Sequence, residues 1–232
     1  MDARDSLEVV TAAFLRDLEP ADPSASCTRI DWDVTDLAAH LGAVHRWAAY
    51  NMGSVTRGDL VNRPELTEPV VEWYAAGRDE LLAALAENDP DAQCYTLSKT
   101  DRTVRFWHRR QLFEALVHLW DLRSATDPGA PAPREVPPEV HADGVAELFD
   151  TFIARARDLE PLNGVVRLLS TDTDDQWTFG VDWERDTTDY PDAIIRGTAA
   201  NLLLYVWNRT DNVEKSGDLQ LIARFERASV RP

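Results

Sequence analysis

FEALVHLWDL, residues 113–122, sets Phe113, Leu116, Val117 and Trp120 three or four apart, the spacing that gathers apolar side chains on one face of a helix. Glu114, His118 and Asp121 form a second stripe. A carboxylate and an imidazole four residues apart project from one face about a turn from each other, close enough for a single cation to touch both. The segment lies inside a longer predicted helix, Trp107 to Ala125. With Trp107, Leu122 and Ala125 beside the polar stripe, that helix is apolar over much of its circumference, as an inner helix surrounded by partners is. A buried carboxylate and imidazole then need a partner or a cation, because burial without one costs several kcal/mol. The alternative is an ordinary surface Glu–His pair worth a few tenths of a kcal/mol.

Three more helices precede this one. Leu7, Val10, Phe14 and Leu18 give a helical stripe over Asp5 to Leu18, and a loop with Pro20 and Pro23 follows. Asp33 stands just before the run Val34, Leu37, Ala38, Leu41, Val44 and Ala48, where its carboxylate can accept the free amide hydrogens of a first turn. Val70, Trp73, Tyr74, Gly77, Leu81 and Leu85 mark a third helix. Four such segments imply a bundle. The polar stretch Cys94 to Arg105 fits either a loop or a short extended excursion.

The stretch Asp127 to Pro138, DPGAPAPREVPP, holds five prolines and one glycine, which deny the backbone helical hydrogen bonding and mark a domain boundary. The expected domains are a helical bundle over residues 1–130 and a mixed α/β domain over 137–232. In the second, Val140 to Leu159 has a helical pattern. Gly164 to Ser170 and Gln176 to Trp183 read as strands around an acidic turn, Ala193 to Arg196 as a strand, and Ala199 to Trp207 as a helix. Asp218 to Phe225, DLQLIARF, alternates as a final strand would.

The chain has 232 residues, 44% of them hydrophobic and 28% charged, the balance of a globular protein with a core of its own. Asp and Glu number 41 against 24 Lys and Arg, a formal charge of −17, which repels nucleic-acid phosphates and anionic lipid alike. No apolar run approaches the roughly 18 to 20 residues that span a bilayer, and MDARDSLEVV lacks the pattern of a signal peptide. A cytoplasmic protein with neither a nucleic-acid nor a membrane partner is expected. Cys27 and Cys94 stand alone, in no metal-binding spacing. Of the histidines, His40, His45 and His118 fall in predicted helices of the bundle, and periodicity does not choose between His40 and His45.

Three blocks, in matching order, are DWDVTDLAAHLGAVHRWAA (Asp31 to Ala49), FEALVHLWDL (Phe113 to Leu122) and RGTAANLLLYVWNR (Arg196 to Arg209). Together they resemble the mycothiol-dependent maleylpyruvate isomerase family, over nearly the whole chain. The resemblance implies an α+β protein: an N-terminal DinB-like four-helix bundle that binds metal, followed by a small C-terminal α/β domain, with the pocket in the cleft between them. It implies that His40, Glu114 and His118 hold zinc or another divalent metal, with His45 a neighbour and not a ligand. Three protein ligands leave a tetrahedral zinc one open position. Arg209 matches the arginine closing the family's C-terminal block and is assigned to bind a carboxylate of substrate or thiol, its alternative being a surface salt bridge. Asp121 is a candidate to accept the second ring N–H of a ligating histidine.

The function implied is that of a mycothiol-dependent metalloenzyme, an isomerase or S-transferase in which mycothiol, as thiolate, adds to a small electrophile. The alternatives on the same residues are a zinc-water hydrolase and a non-catalytic metal-binding module. The chain departs from the family at its Cys-Pro-Gly-Trp turn, in place of which stands the longer, less rigid run Cys27 to Trp32. The metal ligands transfer across such a family better than the substrate does.

Overall fold

Four long helices form the first part of the computed structural model, which describes all residues except Met1, Arg63, Arg157, Asp158, Asp186, Thr188, Asp189 and residues 229–232. They are α1 (Ala3–Leu18), α2 (Val34–Met52), α3 (Val70–Glu87) and α4 (Val104–Thr126). Asp2 and Asp33 cap α1 and α2, each accepting the amide of the third residue on at 2.8 Å. Against α2 pack both α3 and α4, and α1 packs on α4. The seam is filled by Leu7, Phe14, Leu37, Leu41, Tyr74, Leu81, Trp107, Leu112 and Leu116, all buried. Where α2 meets α3 the backbones come close: a Cβ on Gly77 would stand 2.7 Å from the Gly42 carbonyl oxygen. Between α3 and α4, the stretch that fitted either loop or extended chain is a loop closed by a Gln93–Thr103 bridge and a Cys94 N–H to Arg102 carbonyl bond of 2.8 Å.

The chain divides into two units, Met1–Val136 and Pro137–Pro232. In the second, α5 (Pro138–Glu147) runs on as a π turn at Leu148–Phe152 and a 3₁₀ turn at Ile153–Arg155. A four-stranded sheet follows, built from β1 (Val166–Ser170), β2 (Gln176–Phe179), β3 (Ala193–Gly197) and β4 (Glu214–Gly217) in the order β2-β1-β3-β4. The central pair β1 and β3 is parallel and the outer pairs are antiparallel. The helices α6 (Ala199–Val206) and α7 (Leu219–Arg227) pack on β1 and β3. This helical bundle with a small sheet domain after it is the α+β class expected from the sequence.

The segment Asp218 to Phe225, expected as a strand, is instead most of α7. Alternation required Leu219 to share a face with Leu221 and Phe225. Leu219 is 64% exposed, while Leu221, Ile222 and Phe225 are buried at helical spacing. Asp218 fixes the start by accepting the amides of Gln220 and Leu221 at 2.8 and 3.0 Å. The last strand is the wholly exposed Glu214–Gly217, held by pairing with β3.

Candidate metal centre

Two helices bring three side chains to one point. His40 comes from α2, and Glu114 and His118 from successive turns of α4. One ligand atom from each lies within 4.8 Å of the other two. Glu114 Oε1 is 3.3 Å from His118 Nε2 and 3.5 Å from His40 Nε2. For comparison, metal–ligand bonds of zinc length in a tetrahedron give a ligand–ligand edge of about 3.3–3.4 Å.

The partner on the far side assigns the tautomer of each ring. His118 Nδ1–H donates to Asp121 Oδ2 at 2.9 Å, and a carboxylate only accepts. His40 Nδ1–H donates to the Asn62 main-chain carbonyl at 3.3 Å. In the neutral rings both Nε2 atoms are therefore lone-pair acceptors, and they face a carboxylate oxygen that is also an acceptor. Three acceptors turned on one another with no hydrogen between them suit a cation. Imidazole, imidazole and carboxylate are also a zinc donor set, with second-ring hydrogen bonds of the kind that metal-bound histidines make.

Charge follows from burial and neighbours. Burial pushes the Glu114 carboxyl up, but the Arg110 guanidinium and the adjoining His118 and His40 rings outweigh it and hold the group well below the usual carboxylate range. Arg110, itself buried, pairs with Glu114 Oε2 and leaves Oε1 for the histidines. Burial pushes His118 down, and the bonds to Asp121 and Glu114 outweigh that and raise it.

Trp32 covers the centre: its ring is 4.6 Å from that of His40 and stacks on His118 at 6.1 Å. The run Cys27 to Trp32 is longer than a Cys-Pro-Gly-Trp turn yet closed. The Cys27 N–H donates to the Trp32 carbonyl at 2.9 Å, and Ser26 pairs with Asp33. Thr28 binds Ser124 near the end of α4 twice, at 3.2 and 2.8 Å. Sequence reasoning assigned no role to Trp32, Arg110 or the Asn62 carbonyl. Arg110 carried a legible signal, since Arg110, Glu114 and His118 follow at intervals of four along one helix face. A main-chain acceptor carries no sequence signal.

His45 is buried, with Nδ1 2.8 Å from Gln111 Oε1 and its ring 5.7 Å from that of Tyr74, outside the three-ligand cluster. Both cysteines are buried and unbridged, and burial pushes the Cys94 thiol up, away from nucleophilic use. Arg209 belongs to the second unit. It follows Asn208, whose φ of 60° ends α6, and its N–H donates to the Leu204 carbonyl at 2.8 Å. This is a Schellman-type closure that fixes where the arginine leaves the helix. Its Nη1 donates to the Trp207 carbonyl at 2.8 Å.

No helix among the described residues is long and apolar enough to cross a membrane. No curated protein sequence matches the chain. Among solved structures, a histidine-to-alanine mutant of mycothiol-dependent maleylpyruvate isomerase is similar at TM-score 0.68 and 14% identity. The crystal structure of the mycothiol-dependent maleylpyruvate isomerase is similar at TM-score 0.61 and 16% identity. Each match covers 94% of this chain and 95% of the other. Residues 139–224 match the family profile described as the MDMPI C-terminal domain, and residues 5–123 that of the mycothiol maleylpyruvate isomerase N-terminal domain; the chain belongs to the mycothiol maleylpyruvate isomerase family.

Proposed function

We propose that the chain is an enzyme that holds a divalent cation, zinc first among candidates, on His40, Glu114 and His118. With mycothiol as co-substrate it isomerises, or conjugates to the thiol, a small electrophile, and maleylpyruvate is the first substrate to try. What carries the reading is one observation: Glu114 Oε1 and the Nε2 atoms of His40 and His118 converge, while Nδ1 of each ring lies at hydrogen-bond distance from an outer acceptor, Asp121 or the Asn62 carbonyl.

When bound, such a cation supplies the positive charge that keeps an exogenous thiol ionised at neutral pH. The chain's own groups set the charge it meets. Two carboxylates, Glu114 and Asp121, against one guanidinium, Arg110, leave one net negative charge among them. Asp121 and the Asn62 carbonyl hold the rings, Arg110 holds the carboxylate, and Trp32 limits access of water. Arg209 is assigned to a carboxylate of the substrate or the thiol, through two parallel N–H···O bonds.

The test is elemental analysis of the purified protein together with conversion of maleylpyruvate, with and without mycothiol and a chelator. The expected result is one equivalent of divalent metal and turnover that needs both metal and thiol, with metal and turnover lost in His118→Ala. Absence of metal overturns the reading, and so does hydrolytic turnover that proceeds without thiol.

A further inference from the structure

A cavity of about 550 Å³ opens in the first unit between α2, the start of α3 and the segment that joins them, within the size range of small-molecule sites. It starts about one turn along α2 from His40, since Ala43 and Trp47 continue the stripe on which His40 lies. Two tryptophans line it. Trp47 is pinned by a bond from its Nε1–H to the Gly58 carbonyl at 2.8 Å, and Trp73 by one to the Ala39 carbonyl at 3.1 Å. Val61 and Tyr50, on its rim, are each 61% exposed, large apolar surface of the kind that marks a binding site.

Among the described residues two arginines line the cavity, and they are not equivalent. Arg46 is spent: its guanidinium lies 3.8 Å over Trp73, its Nε is 3.2 Å from Glu80 and its Nη1 donates to the Gly42 carbonyl at 3.2 Å. Arg57 lies 6.0 Å over the Trp47 ring and makes no ion pair among the described residues. In a chain of charge −17, an exposed arginine with no ion pair, set beside a tryptophan, is notable. Its place is built. The side chain of Asn51, fully buried, accepts the Gly58 N–H at 2.9 Å and donates to the Trp47 carbonyl at 2.7 Å. The residue next to Arg57 is thus tied to the helix that carries Trp47. A Cβ at position 58 would meet the Tyr50 ring, so the glycine lets that ring lie close against the segment.

We propose that this cavity binds a flat aromatic monocarboxylate, its ring laid against Trp47 and its carboxylate on Arg57. One negative charge is preferred to two because Asp59 lines the same cavity and repels a second. This site does not depend on the metal reading, since none of the three candidate ligands lines it.

The test is titration of the protein with trans-cinnamate and with cinnamyl alcohol, its neutral counterpart, followed by tryptophan fluorescence and calorimetry. It is run on chelator-treated protein and on protein supplied with zinc. The expected result is saturable binding in both, with the acid favoured over the alcohol by about tenfold or more, the scale of a charge-assisted hydrogen bond. Arg57→Gln should abolish that preference without changing affinity for the alcohol, and Arg57→Lys should keep part of it. Equal binding of acid and alcohol overturns the proposal, as does wild-type affinity in Arg57→Gln. Binding confined to zinc-supplied protein and lost in His118→Ala places the acid at the metal centre and also overturns it. Absence of metal with cinnamate binding intact leaves this site standing and refutes only the metal reading.

Discussion

Asp121 acts on the centre through another residue. It is fully buried and its Oδ2 takes the Nδ1–H of His118, which leaves Nε2 as the acceptor. In Asp121→Asn the amide can turn its NH₂ toward the ring and favour the wrong tautomer. Metal affinity should fall by about 10–100-fold, the usual cost of losing such a partner, as read by competition with a chromophoric chelator. His45 supplies a second prediction, on stability. Burial lowers its pKa from 6.5 to about 4, the Gln111 hydrogen bond opposing only in part. The folded protein therefore resists protonation that the unfolded chain accepts. The stability His45 permits is complete above about pH 6.5 and drains away as pH falls toward 4, by on the order of 3 kcal/mol across the window. Urea unfolding at pH 7 and pH 4.5 should show a steeper loss in the wild type than in His45→Gln.

At the scale of elements, the α2–α3 contact depends on two glycines. Alanine at position 77 would gain helix propensity, but its Cβ would meet the Gly42 carbonyl oxygen and the Arg46 guanidinium. Gly77→Ala should therefore destabilise by about 1–3 kcal/mol, measured as a lower urea midpoint at unchanged slope. The helices of the bundle were legible because their apolar positions repeat at helical spacing over several turns. Heights along the bundle were not. His40 and His45 both face inward, and only the packing of α2 on α3 and α4 sets His40, not His45, level with Glu114 and His118. The family resemblance, not the periodicity, separated them. The segment after Gly217 failed for a different reason. Leu219, Leu221 and Phe225 satisfy a period of two, while Leu221, Ile222 and Phe225 satisfy a helix, and in so short a piece the choice rests on the cap at Asp218. β4 has no apolar residue to announce it. The Arg110 row was readable in the sequence, but an arginine on a helix is more often a solvated one, and its burial is decided by its neighbours.

For the whole molecule, the division at Val136 and Pro137 separates the proposed cation site from the residue assigned to the substrate, Arg209. His40, Glu114, His118, Asp121, Arg110 and the Asn62 carbonyl all belong to the first unit. A chain ending at residue 136 should bind zinc within a few-fold of the full protein, as read by the same chelator competition. It should show no turnover of maleylpyruvate. Loss of zinc binding in a truncated chain that keeps its helical circular dichroism would mean that the second unit contributes to the centre itself.

The two histidines are steadied from behind by unlike means, and this makes the centre unevenly vulnerable to mutation. On the His118 side one codon change, at Asp121, erases the support. On the His40 side the support is a peptide carbonyl, which every amino acid supplies, so the side chain at position 62 is free to drift without loosening the ring. Asn62→Ala should leave zinc affinity unaltered in the assay where Asp121→Asn loses it. The same atom, however, is hostage to the path of the chain, and there the hazard is a deletion that shortens the segment before α3.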